Sequence, residues 1–204
     1  MKLSRKAILS ILVIIVLTTS GIVVWSQFLQ PQEIVVMETS MGNIEIQLDR
    51  QHAPVTVDNF VKYVKTGFYD GTIFHRVYAG FVIQGGGYTK NETEKATNAA
   101  ITLESSNGLK NLAGTIAMAR TNSPNSATSQ FFINLDDNTN LDYKSVSSPG
   151  YAVFGKVVSG IDVMNNIGKV KVETRNVTVP GYGKYPFQMW PIQDIVITRA
   201  YMKP

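Results

Sequence analysis

Between Phe74 and Gly87 the chain reads Phe74-His75-Arg76-Val77-Tyr78-Ala79-Gly80-Phe81-Val82-Ile83-Gln84-Gly85-Gly86-Gly87. One arginine and one glutamine stand in an apolar run that ends in three glycines. A guanidinium stays charged at physiological pH and presents its donors in fixed geometry. Arg76 could therefore stabilise a lone pair or charge that develops in a transition state. The pattern alone equally fits a solvated arginine in a surface ion pair, which is the commoner fate. His75 could serve as a general base, but no Gly-x-Ser-x-Gly, His-Glu-x-x-His or other nucleophile accompanies it, so it reads as a satisfied structural histidine. Gly85–Gly87 lacks the Gly-Lys-Ser/Thr ending of a phosphate loop and reads as a tight strand exit.

Composition removes other chemistries. The absence of cysteine excludes disulfides, thiolate sites and lipid-modified cysteine, and two histidines, His52 and His75, argue against a His-rich metal site. The overall charge is +4, but Lys2, Arg5 and Lys6 precede all the acidic residues; beyond them 16 basic residues face 15 acidic ones. A domain of net +1 has no broad footprint for nucleic acid.

Short strands and two helices must position these residues. Ile34 to Met37 and the alternating Asn43 to Leu48 form a hairpin around Ser40-Met41-Gly42. Pro54 opens a helix in which Val57, Phe60, Val61 and Val64 share one face, and Gly67 stops it. Further strands are expected over Ile73–Tyr78, Phe81–Gln84, Thr115–Ala119, Gln130–Asn134, Ala152–Val157 and Asp194–Ala200, with a short helix near Ile161–Ile167. Many short strands between Gly- and Asn-rich turns indicate a mainly β barrel or sandwich.

Residues 1–25 read as a membrane anchor or signal segment. The uncharged run Ala7 to Trp25 would span roughly 28 Å as a helix, close to the bilayer core. Its length and the lack of Ala-x-Ala favour a retained signal anchor over cleavage near Thr18-Thr19-Ser20. A short linker, residues 26–32, then leads to a domain over 33–204. The domain is expected on the extracytoplasmic side, anchored through residues 7–25, or secreted if the segment is cleaved.

Four blocks in order resemble the cyclophilin-type peptidyl-prolyl cis-trans isomerases: Phe74 to Gly87, Gly114-Thr115-Ile116-Ala117-Met118-Ala119-Arg120, Ser129-Gln130-Phe131-Phe132-Ile133-Asn134 and Tyr151-Ala152-Val153-Phe154-Gly155-Lys156-Val157. The resemblance runs from about Ile34 to near the C-terminus. It implies a closed eight-stranded antiparallel β-barrel capped by two α-helices, besides the N-terminal hydrophobic helix. It implies an isomerase of X-Pro bonds in folding polypeptides that needs no cofactor or metal. Arg76 falls on the family's catalytic arginine. Phe132 falls on the floor of the proline pocket and Phe81 on its wall, with Val82 beside them and Met118 and Leu141 nearby. Gln84 matches the glutamine that binds substrate backbone. Ala119 and Arg120 take positions that contact the extended peptide, the second mainly through its backbone. Tyr151 completes the rim.

Three positions depart from the best-known family pattern: Val82 replaces a common methionine, Asn140 replaces tryptophan or phenylalanine, and Tyr151 stands where eukaryotic members often have histidine. Ser147-Ser148-Pro149-Gly150 lengthens the rim loop. Weak cyclosporin binding is therefore expected, with activity retained. The alternative reading is a non-catalytic module of the same fold that grips Pro-containing segments as a chaperone or scaffold. Lys169 to Pro191, rich in Tyr, Trp and Pro, reads as aromatics packed on the barrel wall, with a partner-docking arm as the lesser alternative. Asn91-Glu92-Thr93 and Asn176-Val177-Thr178 are glycosylation sequons.

Overall fold

The computed structural model describes residues 32–179 and 183–204. The expected anchor, and all of the linker but Gln32, lie outside them. Among the described residues no helix is long and apolar enough to cross a membrane.

The chain begins with the hairpin β1 (Ile34–Thr39) and β2 (Gly42–Leu48), paired so that Val35 faces Ile46 and Thr39 faces Gly42. The Thr39 hydroxyl seals the turn by donating to the Gly42 carbonyl at 2.6 Å. Helix α1 (Pro54–Lys65) follows, with proline at its start and Val57, Phe60, Val61 and Val64 buried. No side chain at its N-cap accepts the free N–H groups. The Glu104 carboxylate does so instead, taking Val55 N–H at 3.1 Å and Thr56 N–H at 2.8 Å. A carboxylate there satisfies orphan donors and complements the helix dipole.

Strands β3 (Arg76–Tyr78), β4 (Val82–Gly85), β5 (Thr115–Met118), β6 (Phe131–Asn134) and β7 (Val153–Ser159) come next, then α2 (Ile161–Ile167), β8 (Val172–Val179), β9 (Gly183–Pro191) and β10 (Ile197–Met202). Eight strands form one antiparallel sheet in the order β10-β1-β2-β7-β5-β6-β4-β3. It curls around a core that includes Ile44, Ile46, Phe60, Phe74, Phe131 and Phe154.

The expected closed barrel is corrected to a curled half-barrel. Its edge strands β3 and β10 share no ladder, and the gap is spanned by the bridge Ile73↔Val196 and by a few backbone bonds, among them Ile197 N–H to the Thr72 carbonyl at 2.8 Å. The chain before β3 bonds to neighbours on both sides. Ile73 N–H goes to the Tyr88 carbonyl and Phe74 N–H to the Ile195 carbonyl. The ladder does not continue through Phe74 and His75, so β3 begins at Arg76 and runs three residues.

Strands β8 and β9 pair only with each other, Val177 facing Tyr185 and Glu173 facing Trp190. Residues 172–179 and 183–191 thus form an antiparallel pair. Trp190 is fully buried with Val177 against Ile73 and Tyr88, and Phe187 packs partly over them. Tyr185 remains exposed.

Candidate active site

Strand alternation decides which side chains meet. On β3, β4, β5 and β6, Val77, Ile83, Ile116, Met118, Phe131 and Ile133 enter the main core. Their neighbours Arg76, Val82, Gln84, Ala117 and Phe132 emerge on the opposite face of the sheet. Register then aligns them: Arg76 faces Gln84, Gln84 faces Phe132, and Phe132 faces Ala117.

A second apolar cluster forms there from Val82, Ala117, Phe132 and Val153, with Phe81, Leu109, Ala119, Leu141 and Tyr151 partly buried around it. Phe132 is only 4% exposed. The Tyr151 ring meets it edge-on at 5.5 Å. Beside this apolar patch runs a line of polar groups. Arg76 Nη1–H donates to Gln84 Oε1 at 3.3 Å, and Gln84 Nε2–H donates to Gln130 Oε1 at 3.0 Å. A dry ring-sized patch flanked by a cation and amides is suited to an apolar ring attached to a peptide backbone.

The other expected residues fall as follows. Ala119 N–H is taken by the Gln130 carbonyl at 2.9 Å. The Arg120 guanidinium is committed to the rim loop, donating to the Gly150 carbonyl at 2.9 Å and the Thr121 carbonyl at 2.8 Å and lying 4.7 Å over the Tyr151 ring. Leu141 ends a 3-10 turn, Thr139–Leu141, and its carbonyl accepts Tyr151 N–H at 2.9 Å. Gly150 makes this closure possible: its φ is +60°, and a Cβ would lie 2.5 Å from the Leu141 carbonyl oxygen. Asn140 is exposed on the same turn.

Met118 requires correction. It is 1% exposed and lies within the main core, on the inward face of β5, so the sheet separates it from the patch. Its place beside Ala119 already implied that difference, because neighbours on a strand point to opposite sides.

His75 is 3% exposed, its ring edge-on to Tyr88 at 4.9 Å and tilted to Trp190 at 5.8 Å. Burial holds the imidazole down to about 3, with the Arg76 charge acting in the same direction and a hydrogen bond to the Ile73 backbone opposing them. It is structural, but Nδ1 has no partner among the described residues, so its hydrogen bonding is incomplete. The three glycines do form a tight strand exit. Gly86 has φ +81°, and a Cβ at Gly87 would strike the Gln130 side chain at 2.6 Å. Their bareness is what lets Gln130 lie against Gln84.

Sequence reasoning missed Gln130, Val153 and Asn138. Gln130 stands two residues before Phe132, so strand period places it on the same face, a signal that was present. Asn138 had no local signal. Its Nδ2–H groups reach the Phe81 carbonyl at 2.9 Å and Asn134 Oδ1 at 2.8 Å. Asn111, buried nearby, donates from backbone and side chain to Asp142 Oδ1 at 2.8 and 3.1 Å. This buried polar network fixes the Phe81 wall and the turn bearing Leu141 from behind. Among the described residues no three His, Asp or Glu side chains converge on a metal-sized site.

Residues 34–202 match the family model described as cyclophilin type peptidyl-prolyl cis-trans isomerase/CLD. The chain is 53% identical over 166 residues to peptidyl-prolyl cis-trans isomerase A of Dickeya dadantii, covering 81% of this chain and 82% of that protein. It is 50% identical over 135 residues to peptidyl-prolyl cis-trans isomerase B of Escherichia coli, covering 65% and 82%. A crystal structure of a Cryptosporidium parvum cyclophilin type peptidyl-prolyl cis-trans isomerase, determined in the presence of the dipeptide Ala-Pro, superposes with a TM-score of 0.67 at 24% identity, covering 84% of this chain and 99% of that one.

Proposed function

Since the chain belongs to the cyclophilin-type peptidyl-prolyl cis-trans isomerases, we infer that the outer-face patch and its arginine are an isomerase site for X-Pro bonds. The protein is a peptidyl-prolyl cis-trans isomerase. The observation that carries the assignment of its site is the placement of Arg76 and Gln84 beside the nearly closed Phe132 patch.

Amide resonance opposes rotation with a barrier of roughly 18–20 kcal/mol. At the twisted midpoint resonance is lost, and the prolyl nitrogen becomes pyramidal and regains a lone pair. A donor aimed at that lone pair binds the transition state more tightly than either planar ground state, which is the requirement for acceleration. Arg76 supplies this donor. The proline ring seats on Phe132, with Val82 and Ala117 beside it and Phe81, Leu141 and Tyr151 at the rim. Gln84 holds Arg76 and faces the substrate backbone. Ala119 and the Arg120 backbone take the extended peptide, while the Arg120 side chain fastens the rim loop. Phe132 is nearly closed to water, so the Arg76 charge at its edge is screened less than in open solvent. No bond is made or broken, so the site needs no nucleophile.

We place the domain on the extracytoplasmic side, held by residues 7–25. This reading rests on Lys2, Arg5 and Lys6 before a span-length apolar run. Its substrates there are Pro-containing segments of unfolded or folding chains.

Arg76→Ala in the full-length protein tests the assignment. The charge lies half-exposed outside the core, so the fold should survive. Turnover of a Pro-peptide should fall by about a hundredfold or more, the scale seen when one preorganised donor is removed. A folded variant as active as the parent would refute the role given to Arg76.

A further inference from the structure

We infer that Arg175 is a positioning residue for the isomerase site, bracing Arg76 and Gln84 from two sides through the β8–β9 pair. This rests on the reading of Arg76 as the catalytic donor.

Arg76 is poorly held by its own surroundings. It begins a three-residue edge strand, the hydrogen bond of its side chain, to Gln84, is long at 3.3 Å, its guanidinium lies 5.9 Å over the exposed Tyr78 ring, and among the described residues it makes no ion pair. Two routes lead from Arg175 toward it, one through side-chain contacts and one that passes along the loop backbone from Glu92 to Glu94.

The first runs beneath the site. Arg175 Nη1 meets Asp194 Oδ1 at 2.9 Å, and the same oxygen accepts Trp190 Nε1–H at 3.2 Å. The Arg175 guanidinium also lies 5.4 Å over the Trp190 ring. Trp190 and Tyr88 hold the buried ring of His75, the residue before Arg76. The second runs over the surface. Arg175 Nε stands 3.7 Å from Glu92 Oε1 in the loop after Tyr88. Two residues on, Glu94 Oε1 accepts Gln130 Nε2–H at 3.4 Å, and Gln130 in turn takes Gln84, which takes Arg76.

Backbone geometry singles out the same two routes. Among the described residues, Glu92 and Met189 are the non-glycine residues with positive φ, each at +62°. Glu92 carries the surface contact. Met189 precedes Trp190 where the β8–β9 register slips between Glu173 and Arg175. Residues persist in this disfavoured region when their surroundings require it, and such positions gather where geometry serves function.

The test compares Arg175→Ala, Arg175→Lys and Glu92→Gln in the full-length protein, with kcat and KM for a Pro-peptide separated by NMR exchange. Arg175→Ala should lower kcat by roughly tenfold, a modest misplacement of the donor, with KM changed less than about twofold. Arg175→Lys should recover only part, because an ammonium reproduces the charge but not the fork or the stacking on Trp190. Glu92→Gln, which cuts the surface route alone, should give a smaller loss. On an Arg76→Lys background Arg175→Ala should cost less than it does on the parent, since there is no fork left to aim. Full kcat in folded Arg175→Ala, or losses that multiply without coupling, would overturn the inference. If Arg175→Ala does not fold, unchanged kcat in Glu92→Gln overturns it. An Arg76→Ala protein with parental activity would instead remove the catalytic reading beneath it, a separate and distinguishable result.

Discussion

Arg76 and Gln84 stand directly opposite each other across the β3–β4 ladder, and the guanidinium donates to the Gln84 amide oxygen at 3.3 Å. The same amide donates onward to Gln130 at 3.0 Å. The glutamine therefore has both its oxygen and its nitrogen engaged, and its orientation is not free. An arginine side chain carries about 2 kcal/mol of rotamer entropy, so a fixed acceptor reduces what must be ordered when substrate arrives.

Gln84→Ala should consequently lower kcat/KM by roughly tenfold, combining a lost peptide contact with a less ordered Arg76. Arg76→Lys should fall nearly as far as Arg76→Ala, because a point charge cannot address both Gln84 and the prolyl nitrogen. Steady-state kinetics of the three variants check this; a lysine variant close to parental activity would favour simple charge over the fork.

Phe132→Ala should raise KM for Pro-peptides at least tenfold while leaving Arg76 in place. It should also destabilise the domain by about 3 kcal/mol, the scale for truncating a buried aromatic. A peptide titration and a denaturant melt separate the two effects.

His75 makes stability pH-dependent. Its folded value is held down to about 3 by burial, against an ordinary value of 6.5. Between these values the unfolded chain binds a proton that the folded protein refuses, so stability falls as pH drops. The contribution is fully present above about pH 6.5 and should decline by about 1.4 kcal/mol per pH unit below it. His75→Phe keeps an aromatic ring against Tyr88 and Trp190 and should flatten this slope. Denaturant melts at pH 7 and pH 5 on both proteins would show it.

Cyclosporin should inhibit weakly. An indole at the position of Asn140 would offer an apolar surface, whereas burying the asparagine amide unpaired costs roughly 1–3 kcal/mol. The lengthened loop beside it places Val146 at 88% exposure next to the same turn. Asn140→Trp should tighten inhibition more than it alters turnover. Tight inhibition of the parent protein would show that the rim tolerates the amide.

Export is testable by protease. Protease reaching the domain in spheroplasts, with full-length chain in the membrane fraction, is the expected result. A mature N-terminus near Gly21 would exclude the retained anchor but not export.

Periodicity made the elements legible, and the four sequence blocks made the family legible. Val57, Phe60, Val61 and Val64 fall on one helical face and are buried, and the β1–β2 hairpin turns where Ser40-Met41 indicated. These are local properties, fixed by the spacing of apolar residues along a few turns of chain. What the sequence left open depends on partners far along it. The choice between a solvated Arg76 and a site arginine rests on Gln84 and Phe132 being brought alongside by register. Met118 falls opposite Ala117 and Ala119 by the strand period itself, and the structure places it in the main core. The open edge between β3 and β10 exists only in the assembled strand order, and β9 is held by a tryptophan that finds its pocket against Ile73, Tyr88 and His75. Sequence determines which way each side chain alternates, because pleat and helix pitch are properties of the backbone. Only the tertiary structure decides which alternating faces meet, because that depends on burying apolar surface contributed by segments distant in the chain.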